Sequence, residues 1–540
     1  MKNKIKFYLG LFFLITSSFL LIQKKDISVN DIKKALRLSG VTFNEKDIQT
    51  MAPYVIRNKN SYVNMREYNL TKDNVPAFNF SVNNMRSKKT KYTFEDIKTK
   101  LPSNKKDIPF LSIGELSYLI KNQIISSLEL TKIYLERIKL FDKKLNAFIT
   151  ITEKLALKQA ENADDEIKKG MYRGELHGIP YAIKDLASFP NYPTTWGAMP
   201  FKNQQFDEKA LVIKKLEEAG AVMLGKLSSG SLARGDVWFG GKTKNPWNLE
   251  QGSSGSSAGS AAAVSAGLVP YAIGTETLGS IISPSTRCGV TGLRPTYSSV
   301  PTDGFMTLSW TMDKVGPIAR SPRDCAIVFN TIKETNNTNT INFNFDQKIN
   351  SLKIGYLKSL FDNDTSRFYN NNIKTITLAK DLYDLNPIEL PKNFPFSVFD
   401  IILRAEAGAF FDSFLLKGLD SSMVEQGERS RANSLRQSKL IPAVEYIQAN
   451  RHRKILIDET DELFKKYDLI LSPSFGKNQM LITNLTGHPA LSLPNGFDDG
   501  GSPTSISIIG NYGAEDKILY FAELLNNMIK FNNNKPPLFY

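Results

Sequence analysis

The chain has 540 residues, enough for two to four small domains or one large α/β unit, and 41% hydrophobic with 11% aromatic content marks it as globular rather than disordered. Its net charge of +15 is dispersed over the N-terminus (Lys2, Lys4, Lys6, Lys24, Lys25) and short clusters such as Lys88-Lys89 and Arg451-His452-Arg453. No long basic stripe with interleaved aromatics occurs, which argues against a nucleic-acid partner. Cys288 and Cys325, the only cysteines, offer neither a disulfide framework nor a paired-cysteine metal site. The three histidines, His177, His452 and His488, are far apart, so neither a histidine metal centre nor a Ser-His-Asp triad is easily placed.

Residues 1–25 read as an export signal or signal-anchor. Lys2, Lys4 and Lys6 precede a mostly apolar run at 7–22. As a helix that run spans about 24 Å, short of the roughly 30 Å of bilayer hydrocarbon. This favours a cleaved signal, although only Thr16-Ser17-Ser18 hints at a processing site. The expectation is an exported protein, periplasmic or secreted, or one anchored through 7–22. Residues 26–108 are polar with short amphipathic pieces at 29–38 and 41–56, and read as a small helical extension followed by a tether.

From residue 109 helices alternate with short apolar runs. Ser126 and Glu129 form a capping box, followed by Leu130, Ile133, Tyr134 and Ile138 at helical spacing. A second helix runs through Ala156, Ala160, Ala163 and Ile167. The run 178–186, GIPYAIKDL, reads as a buried strand ending in Lys184; 208–219 as a helix; and 221–224 as a strand. This alternation predicts an α/β sheet covered on both faces. Further on, 322–331 reads as a helix, 334–350 as an Asn/Thr-rich surface loop, 352–356 as a strand, 390–465 as mainly helical, 469–473 as a strand end, 484–494 as a loop entering a late strand, and 515–529 as a closing helix.

Residues 251–289 stand apart. Residues 252–257 are all Gly or Ser, Glu276 and Arg287 carry the only charges, and the Ser/Gly loop runs directly into the apolar segment 261–273. A flexible linker would be Gly/Ser-rich throughout; a Ser/Gly loop tied to a buried wall holds its serines in place. A serine hydroxyl is a weak nucleophile until a base takes its proton. Lys184, among apolar neighbours, is a candidate base: desolvation lowers a lysine pKa, and neutral lysine accepts protons. Pairing with Asp185 is the structural alternative. The loop also lacks the lysine of a phosphate-binding P-loop.

These residues resemble the amidase signature family of Lys–cis-Ser–Ser serine hydrolases over most of 109–540. The matching pieces are GIPYAIKDL around Lys184, NPWN at 245–248, SSAGSAAAVSAG from Ser256, GTETLGSI around Ser280, CGVTGLRPT from Cys288, and TGHPALSLP near the C-terminus. The resemblance implies one α/β/α domain with a large mixed sheet. It also implies Lys184 as base, Ser256 as the cis-serine, Ser280 as the acyl nucleophile, and main-chain N–H groups at Thr277, Leu278, Gly279 and Ser280 as the oxyanion site. Of the Ser253-Ser254 and Ser256-Ser257 pairs, the Ala-rich helix after Gly259 and the distance to Ser280 favour Ser256. Two positions depart from the family pattern: Ala258 and Leu278 stand where glycine is usual. The implied activity is hydrolysis of an amide to acid and ammonia or amine, with no cofactor, no metal and a small amide substrate. The alternatives are the transamidating subunit of a tRNA-dependent amidotransferase, and a non-catalytic binding protein on the same fold.

Overall fold

The computed structural model describes residues 27–71, 74–79, 90–334, 339–343 and 351–540. The signal or anchor expected at 1–25 lies outside the described residues, among which no helix is long and apolar enough to cross a membrane.

Eleven strands build one mixed sheet. In chain order they are β1 (Phe148–Ile151), β2 (Pro180–Lys184), β3 (Val222–Leu227), β4 (Tyr271–Glu276), β5 (Thr291–Arg294), β6 (Lys314–Ala319), β7 (Ile354–Tyr356), β8 (Leu385–Pro387), β9 (Leu469–Pro473), β10 (Ala490–Phe497) and β11 (Pro503–Gly510). Across the sheet they run β8-β7-β9-β11-β10-β5-β6-β4-β2-β3-β1. β2 is parallel to both β3 and β4, pairing Lys184 with Leu227 and Ile183 with Ile273. β4 to β6, β6 to β5, β5 to β10, β10 to β11 and β11 to β9 are antiparallel. β2, β3 and β4 are buried over almost their whole length. That explains why they read as unbroken apolar runs rather than alternating ones.

Helices surround the sheet. They include α1 (Val29–Leu38), α2 (Glu45–Met65), α3 (Ile113–Lys121), α4 (Ser127–Leu145), α5 (Glu153–Lys168), α6 (Leu211–Glu218), α7 (Ala258–Ser265), α8 (Ile282–Cys288), α9 (Pro322–Ile332), α10 (Tyr369–Leu382), α11 (Asp400–Phe410), α12 (Arg431–Ser438), α13 (Ala443–Phe464), α14 (Gln479–Thr486) and α15 (Glu515–Ile529). The α4 capping box forms as the sequence predicts: Ser126 Oγ accepts from the Glu129 N–H, and the Glu129 carboxylate accepts from the Ser126 N–H. The main core lies between the sheet and its helices. A second cluster fills the helical region of 394–456 together with Trp196, Leu232 and Met306, and takes in Tyr62 and Met65 of α2. The N-terminal extension thus docks its second helix on the body, while α1 and α2 share a small core of their own.

Two local readings change. The Asn/Thr-rich stretch 334–350 contains a strand, Asn339–Phe343, paired in parallel with Thr90–Phe94 of the extension. Its polar composition hid it, because the pairing runs through main-chain groups contributed from far away in the chain. Asn484, expected in a loop, sits near the C-terminal end of α14, which terminates at Gly487 with φ +80°.

Candidate active site

Lys184 ends β2 and Glu276 ends β4. Because the two strands are parallel, their carboxyl ends open on the same edge of the sheet, where α/β proteins place their ligands. The Ser/Gly loop enters this edge just before α7, and the turn 277–281 leaves it just after β4.

Lys184 is fully buried. Its Nζ lies 2.8 Å from Ser256 Oγ, 3.1 Å from Ser257 Oγ and 2.9 Å from Thr275 Oγ1. Burial pushes its pKa well below that of a free lysine, while the more distant Asp313 and Glu276 act in the opposite sense. The structural alternative for Lys184 does not hold, because Asp185 is taken by another lysine. Lys226 Nζ lies 2.7 Å from Asp185 Oδ1, and both side chains are fully buried. Among the described residues, no carboxylate forms an ion pair with Lys184.

The Gly255–Ser256 peptide is cis, and Ser256 is buried. The loop around it is built for close approach: a Cβ on Gly255 would stand 1.9 Å from the Gly235 carbonyl oxygen. Asp236 fixes the preceding residue by accepting from the Ser254 N–H at 3.0 Å. Ser253 sits elsewhere, donating its N–H to the Thr243 carbonyl and accepting at its own carbonyl from Cys288 Sγ. Ser257 is the hinge of the arrangement. Its N–H donates to the Ser280 carbonyl at 3.1 Å, its hydroxyl donates to the Thr275 carbonyl at 3.0 Å, and the same oxygen accepts from the Thr275 N–H. The Ser256-Ser257 loop, the end of β4 and the half-buried Ser280 are thereby tied together.

Glu276, visible in the sequence only as a lone charge in a neutral stretch, organises the turn. Its Oε2 accepts from the N–H groups of Ile281 at 2.8 Å and Ile282 at 3.0 Å; its Oε1 accepts from Arg294 at 3.0 Å and Asn484 at 2.9 Å. Burial alone would raise this carboxyl; Arg294, the two N–H groups and Asn484 outweigh it and hold the pKa at about 2. Thr277 donates from its hydroxyl to Asp313 Oδ1 at 2.5 Å, and Asp313 Oδ2 accepts from the N–H groups of Leu308 and Ser309. Gly279 takes φ +82°, which glycine adopts without strain, and its carbonyl accepts from the Ser283 N–H at 2.8 Å. Leu278 packs against the second core cluster, which holds Trp196 and Phe411. A cavity of about 410 Å³ reaches the site through Thr275 and Thr277, and is walled by Leu186, Ala233, Trp310 and Asp313.

Of the three residues named from the sequence, Lys184 and Ser256 are in direct contact, and Ser280 is brought to the same sheet edge through its carbonyl, which the Ser257 N–H holds. Glu276, Asp313 and the Asp185–Lys226 pair are the supporting groups that sequence reasoning missed. The model of the amidase family matches residues 129–482. The chain belongs to the amidase signature family. Among its relatives, a glutamyl-tRNA(Gln) amidotransferase subunit of Carboxydothermus hydrogenoformans is 30% identical over 487 residues, covering 80% of this chain and all of that one. Among solved structures, an amidase family protein from Bacillus anthracis is similar with a TM-score of 0.70 at 25% identity, over 80% of this chain and 93% of that one. Native peptide amidase from Stenotrophomonas maltophilia gives 0.68 at 25% identity, over 78% and 98%. The amidase signature fold is thus shared along nearly the whole length of these proteins.

Proposed function

We propose that the protein is an amidase that hydrolyses a carboxylic amide to acid and ammonia or amine through a seryl acyl-enzyme. The observation that carries this reading is the buried Lys184 Nζ, 2.8 Å from Ser256 Oγ, in a loop whose next residue is hydrogen-bonded to Ser280. Neutral Lys184 accepts the Ser256 proton as Ser256 accepts that of Ser280, and Ser280 Oγ attacks the amide carbonyl. The carbonyl oxygen becomes an oxyanion. In a trans peptide the N–H points opposite to the C=O. The Gly279 carbonyl is held by the Ser283 N–H, so the Ser280 N–H faces away from α8, and this reading assigns that N–H to the oxyanion. Thr277, Leu278 and Gly279 complete that turn. Ser256 returns its proton to the leaving nitrogen as the C–N bond breaks. Water, deprotonated by the same relay, then cleaves the ester.

The test is covalent labelling with a fluorophosphonate together with ammonia release from a simple amide by the purified chain alone. Labelling at Ser280 with partner-free turnover supports the reading; a chain that neither labels nor turns over any amide refutes it. The second reading, the transamidating subunit of a tRNA-dependent amidotransferase, is favoured by relatives at 30–31% identity that carry that name over nearly their whole length. It requires activity that appears only with partner subunits, so the same partner-free assay separates the two.

The N-terminal pattern at 1–25 supports export or anchoring of the body outside the cytoplasm. Fractionation of cells producing the full chain, with N-terminal sequencing of the product, tests this. An intact N-terminus in the soluble cytoplasmic fraction argues for the transamidating reading.

A further inference from the structure

Away from the serine and lysine centre, four arginines converge where the N-terminal extension meets the body. Arg57 lies on α2, Arg404 on α11, Arg431 on α12, and Arg234 in the loop after β3. Arg57 and Arg404 both approach Asp400 Oδ2, at 3.4 and 2.5 Å, and both lie over the Tyr54 ring, at 4.5 and 5.6 Å. Arg431 donates from Nε and Nη2 to the carbonyls of Leu232 and Ala233, the latter adjacent to Arg234. Four positive charges thus face one contacting carboxylate, and among the described residues neither Arg234 nor Arg431 has an ion-pair partner. Glu425 and Asp313 act only at longer range.

The second observation is Arg431 itself. It is 4% exposed, and its Nη1 is buried with no hydrogen-bond partner among the described residues. A buried N–H donor without an acceptor is costly, and the Leu232 and Ala233 carbonyls leave the Arg431 charge unneutralised; the planar fork of arginine matches the geometry of an oxyanion. Burial first, and the neighbouring Arg234 and Arg404 next, push the Arg431 pKa down to about 9, so it remains cationic at neutral pH. Arg57, the outermost of the four, lines a cavity of about 390 Å³ together with Asn60, Ser61 and Ser397.

We propose that Arg57, Arg234, Arg404 and Arg431 form a binding site for a small oxyanion, of the phosphate or carboxylate class, separate from the serine and lysine centre. Occupancy would neutralise the cluster and lock α2 onto α11 and α12. Through the Ala233 carbonyl it would also stiffen a wall of the cavity beside Thr277.

The test is thermal unfolding of the full chain in inorganic phosphate and, separately, in succinate, each against sodium chloride at matched ionic strength. The expected result is a saturable rise in Tm of about 3 °C or more with at least one of the two oxyanions. Arg57→Gln, at the exposed rim, should weaken the apparent affinity at least about tenfold, and Arg431→Met should abolish the shift. If Arg431→Met does not fold, Arg57→Gln and Arg234→Gln decide. Chloride reproducing the shift, or a shift undiminished in both rim variants, overturns the proposal. So does purely competitive inhibition of amide turnover by the oxyanion, since that would put it in the catalytic pocket. The thermal-unfolding outcomes hold whether or not the protein is an amidase; the inhibition outcome alone rests on that reading.

Discussion

Asp185 is bonded to Lys226, on the neighbouring strand, and not to Lys184, its neighbour in sequence. The two lysines lie one register step apart on neighbouring parallel strands, each fully buried, yet only one has a carboxylate. This division leaves Lys184 with three hydroxyls and the Thr275 carbonyl as its partners, all of them neutral, and gives it the depressed basicity of a desolvated amine. Asp185→Asn should strand Lys226 as a buried cation and destabilise the protein by about 3–5 kcal/mol. The double variant Asp185→Leu with Lys226→Met should recover part of that loss in denaturant unfolding, because it removes both buried charges and forfeits only neutral hydrogen bonds, those of the Thr195 N–H and the Pro193 carbonyl among them.

The pH dependence of turnover follows from Lys184. The base must be neutral, and burial holds its pKa well below the ordinary lysine value of 10.5. Activity should therefore fall as pH drops through that lowered pKa and stay level above it, in contrast to a free lysine, whose neutral form would still be scarce at pH 8. Lys184→Ala should cut kcat by about 10³-fold or more without restoring activity at any pH between 6 and 10. A variant with wild-type kcat would show that another group is the base.

The two serine pairs make opposite predictions. Ser256→Ala and Ser280→Ala should each lower kcat by about 10³-fold or more, and Ser280→Ala should lose the fluorophosphonate adduct. Ser253→Ala, whose hydroxyl donates only to the Ser254 carbonyl, should stay within a few-fold of wild type. Intact-mass measurement of the labelled variants checks all three.

Glu276 should make the protein acid-sensitive. Its carboxyl, ordinarily near 4.5, is held at about 2 when folded. A depressed folded pKa contributes stability that is present above about pH 4.5 and is lost as pH falls toward 2, worth about 3 kcal/mol at neutral pH. Glu276→Gln should flatten the stability curve in that window and destabilise the protein at pH 7. It should also reduce turnover, since one of the two oxygens that join the Ile281 and Ile282 N–H groups to Arg294 and Asn484 becomes an NH2 donor. Urea titrations of both proteins at pH 3 and pH 7 read out the difference.

Much of this site is legible along the chain because its chemistry breaks local rules. A lysine at the end of an apolar run and serines packed among glycines against an apolar segment both stand out from their surroundings. The supporting groups do not. Glu276 draws its meaning from Arg294 on β5 and Asn484 on α14, and neither partner carries a local pattern that points back to it. Lys226 is the instructive omission, because it interrupts a buried strand just as Lys184 does, and the same reasoning would have flagged it. The strand at Asn339–Phe343 was unreadable for a different reason: Asn and Thr signal a loop until a distant main chain supplies the pairing. The arginine cluster likewise exists only once the extension has docked.

Ser257 holds Ser280 through its main chain and Lys184 through its side chain, and the β2–β4 register that aligns them joins Ile183 to Ile273, which β3 and α7 separate along the chain. The centre therefore belongs to no contiguous fragment. A nascent or proteolytically trimmed chain that has not threaded β4 beside β2 carries no latent nucleophile. If the proposed chemistry holds, amide turnover would gauge how much of the population has reached the native topology.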